Sequence, residues 1–317
     1  MSFLETALSL ILLLIASERI VEGSLRLSVR MGLPKVVVGV VVLGFSGGLP
    51  ELTAAGFASY HKLGGLALGS VVGSITINTT LVLGAAALIN PISIRSGLMK
   101  REGALALITS LAFAIICLFR VSLPIAITEI VAFLVITAYL VKSTQPEDVS
   151  EFAKEAGLEQ EAEQRRRRFL PLGPLGDLVL GLVLMLAGAE LLVTGINGLI
   201  IQFRVDQGVA GALLVATGSS LPELLNAIAA ARKKEPEIVV GNVLGAVLFN
   251  ATAVVGLSGI FHTASLSRAI LTVPLPFMLL DIAACMLFLT TGNRVRRSEA
   301  IVLLALYVGS VAVTAFA

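Results

Sequence analysis

The chain has 317 residues, of which 56% are hydrophobic and only 14% are charged, and its mean hydropathy is +0.97. This composition is too apolar for a soluble domain and predicts a polytopic membrane protein. The net charge is +2 and the basic residues are scattered over short loops, which argues against nucleic acid as a partner. Cys117 and Cys285 lie inside apolar runs without metal-ligand spacing, so we interpret both as core residues.

Ten apolar segments are long enough to cross the roughly 30 Å hydrocarbon layer of a bilayer. They lie near residues 4–25, 34–60, 64–91, 102–119, 123–141, 173–199, 206–231, 237–261, 268–292 and 299–316. The first segment carries Glu5 and has no early Lys or Arg, unlike the basic start of a cleaved signal peptide. We therefore predict that it stays as a transmembrane helix.

The two halves of the chain repeat each other without a gap, at the 172-residue offset that separates Glu51 from Glu223. The same offset places Gly39 on Gly211, Pro50 on Pro222, Gly69 on Gly241, Gly73 on Gly245, Asn78 on Asn250 and Gly84 on Gly256. Each half holds five predicted spans, an odd number, so the second half must enter the membrane from the opposite side. The predicted fold is an all-α polytopic membrane protein with ten transmembrane helices in two inverted five-helix repeats.

The repeat also divides the chain into three regions. Residues 1–142 form the first half with spans 1 to 5, residues 143–172 a polar linker, and residues 173–317 the second half with spans 6 to 10. On one side of the membrane the loops hold only Lys62, Arg120, Arg204 and Arg268, whereas most other Lys and Arg fall on the opposite side. The positive-inside rule then predicts a cell-membrane protein with both termini outside and a cytoplasmic linker.

The linker is acidic first and then basic, ending in Arg165 to Arg168. We interpret it as a solvated, partly helical segment whose arginines lie near anionic headgroups. A regulatory calcium-binding loop is the alternative, but the linker lacks the Asp, Asn and Gly spacing of such loops.

Glu51 and Glu223 fall in the middle of predicted spans, where an ionised carboxylate costs about 2.5–3.5 kcal/mol on insertion scales. Glu51 follows Gly44-Phe45-Ser46-Gly47-Gly48-Leu49-Pro50, and Glu223 follows Ala216-Thr217-Gly218-Ser219-Ser220-Leu221-Pro222. Pro removes a backbone donor and Gly disfavours a regular helix, so we expect both helices to break there. Carbonyls freed at such a break can coordinate a cation.

A second motif in each half adds further oxygen ligands. Ser74 and Asn78 share a helix face, as do Gly69 and Gly73, whose lack of side chains lets another helix approach closely. The second half repeats this frame at Gly241, Gly245 and Asn250. If the halves meet at the membrane centre, carboxylates, amides, hydroxyls and free carbonyls gather there. Such hard oxygen donors suit calcium better than zinc or copper.

A proline kink or simple packing of small residues would explain either motif alone, but not their duplication in inverted copies. Other polar residues of the spans receive structural interpretations. We expect a packing or interfacial role for Glu18 and Glu190, which lie toward span ends, and a hydrogen bond to a neighbour for Asp281. His61 and His262 lie at span ends, and we assign them no function.

These motifs resemble the two alpha-repeats of the calcium/cation antiporter superfamily, which includes the sodium/calcium exchangers. The family pattern is Gly-Thr-Ser-x-Pro-Glu followed by Gly-Asn-x-x-Gly-Ser-Asn. Here it appears first as Ser46-Gly47-Gly48-Leu49-Pro50-Glu51 with Gly69-Ser70-Val71-Val72-Gly73-Ser74-Ile75. It appears again as Gly218-Ser219-Ser220-Leu221-Pro222-Glu223 with Gly241-Asn242-Val243-Leu244-Gly245-Ala246-Val247.

The resemblance implies a ligand for each matching position. Glu51 and Glu223 match the central acidic ligands shared by calcium and sodium, and Asn78 and Asn250 match the polar ligands of the following helices. The remaining implied ligands are the backbone carbonyls of Gly47 and Ser219 for calcium, and those of Gly44 and Ala216, with the hydroxyls of Ser74 and Ser220, for flanking sodium sites.

The chain also departs from the family pattern. Gly47-Gly48 replaces Thr-Ser, Ser70 replaces an Asn, Ala246 replaces a Ser, and Asn250 stands where prokaryotic members commonly have Asp. We expect each flanking sodium site to lose one hydroxyl, at Gly48 and at Ala246. The two carboxylates are intact, so calcium transport is better supported than sodium coupling.

The hypothesis is therefore a secondary antiporter that exchanges calcium for sodium by alternating access, with a sliding bundle of the first and sixth helices. Calcium/proton exchange is the alternative, because two carboxylates held close repel each other once calcium leaves and can take up protons. A cation channel and an intramembrane protease are rivals, although the protease's usual aspartate pair is missing. We expect Ca²⁺, Na⁺ or H⁺ and the lipid bilayer as partners, a monomer, no resident cofactor and no enzymatic activity.

Overall fold

The structure is a computed structural model that describes residues 2–30, 44–93, 99–143, 173–291 and 294–316. Its helices are α1 (Ser2–Arg30), α2 (Gly44–Tyr60), α3 (Gly64–Ile89), α4 (Ala104–Cys117), α5 (Leu123–Ser143), α6 (Pro174–Phe203), α7 (Gln207–Ser219), α8 (Leu221–Lys233), α9 (Pro236–Ile260), α10 (Arg268–Thr272), α11 (Pro274–Thr290) and α12 (Arg297–Ala315). Two short strands, β1 (Ile92–Ser93) and β2 (Arg294–Val295), pair antiparallel. Apart from Ser143, the predicted linker lies outside the described residues.

Six of the described helical segments are long and apolar enough to cross a membrane: α3, α5, α6, α9, α10 with α11, and α12. The pair α7 and α8 meets the same length and composition test when taken together, with a bend of 45° between the two helices, as in a broken span or a re-entrant loop. The other three predicted spans are helical where they are described. These three helices are not among the six for different reasons. α1 has 29 residues, but its second half carries the charged residues Glu18, Arg19 and Glu22. The described parts of α2 and α4 are shorter, with 17 and 14 residues.

The two predicted proline breaks differ in the structure. The helix of the second half is interrupted at Ser220, and Pro222 occupies the first turn of α8. In the first half, α2 runs through Pro50 without interruption, so the prediction of a break at that proline is wrong for the described backbone. Pro50 still lacks the N–H that would bond the carbonyl four residues earlier, so its helix continues with one hydrogen bond fewer.

Helices α3 and α9 form the centre of the molecule. In the membrane-spanning stretches of α3 and α9, 78% and 72% of the residues are buried, compared with 11% for α5 and 22% for α12. α3 crosses α7 at a point where both helices carry glycines. A Cβ on Gly69 of α3 would meet Gly208 of α7, and a Cβ on Gly211 of α7 would lie 2.8 Å from the Ser70 amide nitrogen of α3. The glycines of α3 therefore permit the close approach that the sequence predicts.

The corresponding glycines of α9 show no such crossing among the described residues. A Cβ on Gly241 or on Gly245 would meet no described atom within 4 Å. The repeat of Gly208 and Gly211 falls at residues 36–39, outside the described residues. The predicted close approach at α9 therefore remains a prediction.

α1 and α6 pack along each other and are joined by a buried ion pair. Arg19 Nη1 donates to Asp177 Oδ1 at 2.7 Å, and their side chains are 10% and 2% exposed. Glycines of α6 lie against α1, where added Cβ atoms would meet its backbone or side chains: Gly181, Gly188, Gly195 and Gly198. Small residues and a paired charge thus hold these two helices together as one layer beside the central helices.

Candidate cation site

Two glutamates lie buried at the contact between the two halves. Glu51 is on α2 and Glu223 is in the first turn of α8, and each is only 1% exposed. Their carboxyl groups are near enough to interact electrostatically. Burying two carboxylates without a counter-charge is strongly unfavourable, so this pair requires a cation or protons.

Serine hydroxyls gather at Glu51. Ser220, at the bend between α7 and α8, donates from Oγ to Glu51 Oε1 at 3.0 Å and lies 3.2 Å from Ser74 Oγ on α3. The Ser219 hydroxyl also interacts with the Glu51 carboxyl group. All three serines are buried. The bend therefore brings hydroxyls of the second half to a carboxylate of the first.

Asn78 and Asn250 lie in π-helical turns that the sequence did not predict, at Ile77–Val82 in α3 and Asn250–Val254 in α9. Each side-chain amide donates to the carbonyl four residues earlier, Asn78 to Ser74 at 2.9 Å and Asn250 to Ala246 at 3.0 Å. This bond uses the amide nitrogen and leaves the amide oxygen available. π turns often occur at functional sites because they reorient side chains within a helix.

The site contains several buried acceptor oxygens that have no hydrogen-bond partner among the described residues. They are Glu51 Oε2, both carboxylate oxygens of Glu223, Asn78 Oδ1 and Asn250 Oδ1. Buried polar atoms are nearly always paired, so a cluster of unpaired acceptors indicates a missing positive partner. An oxygen-only set with two carboxylates fits a hard cation such as calcium or sodium.

The predicted carbonyl ligands are less clearly placed. The Ala216 carbonyl accepts the Ser220 N–H at 3.0 Å, so part of its capacity is used within the helix. Gly44 and Gly47 belong to the first turns of α2 as described. The ligand roles of these three carbonyls and of the Ser219 carbonyl remain predictions.

The hydroxyl groups of the site gather at one of the two glutamates. Ser74 of the first half and Ser220 of the second lie together beside Glu51, and the predicted loss of one hydroxyl from each flanking sodium site remains a prediction. Their repeat partners are Ala246 and Gly48, and a Cβ on Gly48 would lie 2.9 Å from Cγ of the Phe249 ring. That ring packs edge-on against Phe133 at 5.4 Å between centroids. An aromatic ring therefore occupies the space beside Gly48, the position that corresponds by the repeat to Ser220.

Comparison with known proteins agrees with this geometry. Residues 1–142 and 174–316 match the family described as sodium/calcium exchanger protein. The chain belongs to that family. Membership supports cation exchange by antiport, carried out by a multi-pass membrane protein, and the family is one of transporters and not of enzymes.

Relatives cover nearly all of this exchanger-family chain. It is 31% identical to inner membrane protein YrbG of Escherichia coli (strain K12) over 252 residues, 78% of this chain and 76% of that protein. It is 26% identical to sodium/calcium exchanger MaX1 of Methanosarcina acetivorans, covering 97% of this chain and 96% of MaX1. A solved structure of the sodium-calcium exchanger NCX_Mj, soaked with zero Na⁺ and Ca²⁺, superposes with a TM-score of 0.66 at 26% identity, covering 98% of each chain.

Other polar residues of this exchanger-family chain lie outside the site. Asp281 accepts a hydrogen bond from Ser310 at 2.8 Å, which confirms the predicted bond to a neighbour. Glu190 pairs with His61 at 2.9 Å on a partly exposed surface, so this histidine has a partner that the sequence did not predict. Glu18 is exposed. Cys117 and Cys285 are buried free thiols, as expected of core residues.

Two residues near the site were not predicted from the sequence to contribute to it. Asn242 donates from its side chain to the Glu223 carbonyl at 3.3 Å, and its place directly after Gly241 in the motif was a usable signal. Phe249 precedes Asn250 and reads as an ordinary core aromatic in the sequence. Only the fold shows that it lies against Gly48.

Proposed function

We propose that this protein is a secondary antiporter that exchanges Ca²⁺ for Na⁺ across the membrane, with Glu51 and Glu223 as the central ligands. The observation that carries the proposal is the cluster of buried, unpaired acceptor oxygens from both halves. Calcium takes 6–8 oxygen ligands in flexible geometry, and it would neutralise two carboxylates at once. The amide oxygens of Asn78 and Asn250 and nearby carbonyls would complete its shell.

The architecture we propose is ten membrane-spanning helices in two inverted repeats. Two structural pairings support it. The π turns begin at Ile77 and Asn250, close to one repeat offset apart. Ile92, which pairs with Val295 in the β1–β2 ladder, corresponds by the same offset to Ala264, which forms an isolated bridge with Val121. Each pairing joins the first half to the second, and the repeat offset relates Ile92 of one pairing to Ala264 of the other, which supports an arrangement of two equivalent halves.

Alternating access would occur by sliding of the α1 and α6 layer over the central helices. The layer is joined internally by the Arg19–Asp177 ion pair, which favours movement as one body. Both termini are proposed to lie outside and the linker in the cytoplasm, as the distribution of Lys and Arg indicates. Because one chain supplies both halves of the site, a monomer suffices for transport.

The hydroxyl cluster favours sodium as the counter-ion at Glu51. Ser74 and Ser220 offer two hydroxyl oxygens beside that carboxylate, whereas Glu223 has no described hydrogen-bond partner for either carboxylate oxygen. The Gly48 and Phe249 contact leaves no comparable hydroxyl site in the other half. We therefore expect one sodium site, next to Glu51, and fewer sodium ions per calcium than two intact flanking sites would give.

Calcium/proton exchange is the second candidate, and the unpaired Glu223 carboxylate is the observation that favours it. A carboxylate without hydroxyl or cationic partners is better suited to a proton than to sodium. A cation channel using the same oxygens is the distant alternative. It would pass calcium without any counter-ion gradient.

Calcium-45 uptake into proteoliposomes tests the proposal. Uptake should follow an imposed sodium gradient at symmetric pH, and it should be lost in Glu51→Gln and in Glu223→Gln. Glu18→Gln is the matched control, because Glu18 also lies in a membrane helix and repeats in the other half but is exposed. Wild-type rates in either site variant would refute the site. Uptake driven by a proton gradient alone would instead establish the second candidate.

A further inference from the structure

Asp281 is a buried carboxyl group of the membrane-spanning helices that lies outside the cation site. Asp281 is in the middle of α11, and its side chain is fully buried. Its repeat counterpart is Thr109, so the group has no partner by duplication. The function proposed above makes no use of it.

The surroundings of Asp281 are polar but contain no positive charge that contacts it among the described residues. Ser310 on α12 donates from Oγ to Asp281 Oδ2 at 2.8 Å, and the Thr76 hydroxyl on α3 also interacts with the carboxyl group. Within the described ranges, Asp281 Oδ1 is buried and has no hydrogen-bond partner. The buried thiol of Cys285, one turn along the same helix, is a titratable group that interacts with Asp281.

The elements packed against α11 carry few titratable residues near the middle of the helices. α3 holds no titratable residue at all, and α4 holds only Cys117. Titratable and charged groups on the other neighbouring elements are Arg297, Glu299 and Tyr307 of α12, Arg268 of α10, Arg294 of β2, and Lys100, Arg101 and Glu102 of the π-helical turn Met99–Gly103, which precedes α4. Apart from Tyr307, these residues lie at or near the ends of helices or in the short strand β2.

A small cavity lies beside the hydroxyl groups that interact with Asp281. Thr76 and Ser310 both line this cavity, whereas Asp281 lies behind them. Thr217, Tyr307 and Thr314 add further hydroxyls to its wall. A cavity with several hydroxyl groups can hold water, which an apolar cavity of similar size would exclude. The cavity between α3, α7 and α12 therefore reaches the two hydroxyl-bearing residues that interact with Asp281.

An ionised aspartate at this position would be expensive. A charged side chain at mid-membrane costs about 2.5–3.5 kcal/mol on insertion scales, and here no described Lys or Arg offsets that cost. A calcium ion would need 6–8 oxygens, whereas the carboxyl group, Ser310 and Thr76 supply four. A proton removes the charge with no further ligand, and it gives Oδ1 a hydrogen to donate.

We propose that Asp281 is a proton-binding site of this protein, separate from Glu51 and Glu223, and that the hydroxyl-lined cavity gives water access to it. The proton would keep α11 neutral where it packs against α3 and α12. Because α3 also carries Ser74 and Asn78, a charge appearing at Asp281 would disturb a helix of the cation site. The proposal does not depend on which cations the protein exchanges.

Infrared spectroscopy of the whole protein in lipid can detect this proton directly. The chain has only four aspartates: Asp148, Asp177, Asp206 and Asp281. Asp177 is paired with Arg19, Asp206 accepts hydrogen bonds from two backbone amides and Ser267, and Asp148 lies in the polar linker. Labelling aspartate with carbon-13 at its side-chain carboxyl shifts its bands away from those of the glutamates. A protonated-carboxyl band that shifts on labelling at neutral pH is therefore expected from Asp281.

The expected result is one label-sensitive carboxylic acid band at pH 7 in sodium-free buffer, absent from Asp281→Asn. The side-chain amide of that variant keeps an oxygen that can accept a hydrogen bond from the Ser310 hydroxyl. If the variant does not fold, the labelled wild-type protein still tests the proposal, because its spectrum requires no substitution. Absence of any label-sensitive acid band would overturn the proposal. Loss of the band on adding sodium at constant pH would also overturn it, because Asp281 would then be a sodium site.

Discussion

The crossing of α3 and α7 allows a sharp test of the packing that positions the site. A Cβ on Gly73 would lie 2.7 Å from Ala212 Cα and 2.6 Å from Ala216 Cβ, and it would also meet the Ala212 carbonyl oxygen. Carbon atoms in ordinary contact are about 3.5–4.0 Å apart, so α7 would have to move by roughly 1 Å in Gly73→Ala. The obstructing atoms are backbone or Cβ, and no rotamer change can remove them.

Overpacking of this kind costs about 1–3 kcal/mol, and we expect the upper part of that range because backbone must move. Ala is favoured over Gly in a helix by up to about 1 kcal/mol, which offsets part of the cost. The net expectation for Gly73→Ala is a loss of about 2 kcal/mol in the free energy of unfolding.

Reversible unfolding in detergent, followed by circular dichroism, measures this loss. Gly309→Ala is the matched control, because a Cβ on Gly309 of α12 would meet no described atom within 4 Å. The control should gain up to about 1 kcal/mol from helix propensity alone. If Gly73→Ala proves as stable as Gly309→Ala, the α3–α7 crossing is not as close as described here.

Three other substitutions test separate parts of the structure. Asp177→Asn should cost about 3–5 kcal/mol in unfolding experiments, because it removes the anionic partner of the buried Arg19, and wild-type stability would contradict this. Ser220→Ala should weaken sodium activation of calcium uptake about tenfold, which is the equivalent of one lost hydrogen bond to a charged group, and it should change calcium affinity less. Initial rates at varied sodium measure this effect, and an equal loss of sodium activation and calcium affinity would argue against a sodium role. Gly48→Ser should lower stability by about 1–3 kcal/mol through overlap with the Phe249 ring, and Gly48→Ser should cost less in a Phe249→Ala background than in the wild type if that overlap is the cause.

The helical membrane class and the family could be predicted from the sequence because both depend on signals that are local and repeated. Long apolar runs set the helices, and the offset between Glu51 and Glu223 aligns motifs without a gap. The bend at Ser220 was also predictable from Pro222 and its small neighbours. Pro50 has the same local signal, yet α2 continues through it. Tertiary packing decides whether a proline bends a helix or merely removes one hydrogen bond.

The finer chemistry of the site depends on which residues face each other, and a linear motif does not contain that information. The π turns at Asn78 and Asn250 have no sequence signature, since they insert one residue into a helix whose composition is otherwise ordinary. The Arg19–Asp177 pair joins residues 158 positions apart and was not foreseen. Both features required the packed helices to be in place.

The hydroxyl cluster at Glu51 shows why a repeat read along the chain does not reveal how a site is assembled. The sequence assigns one flanking site to each half, so one lost hydroxyl per half predicts one loss per site. In the folded chain the cluster at Glu51 draws on both halves, because Ser220 of the second half donates to Glu51 of the first and lies beside Ser74. The repeat counterparts of these two serines are Gly48 and Ala246, neither of which has a hydroxyl group. An inverted duplication thus allows one pair of equivalent positions to keep both hydroxyls while the other pair has none, with both glutamates unchanged.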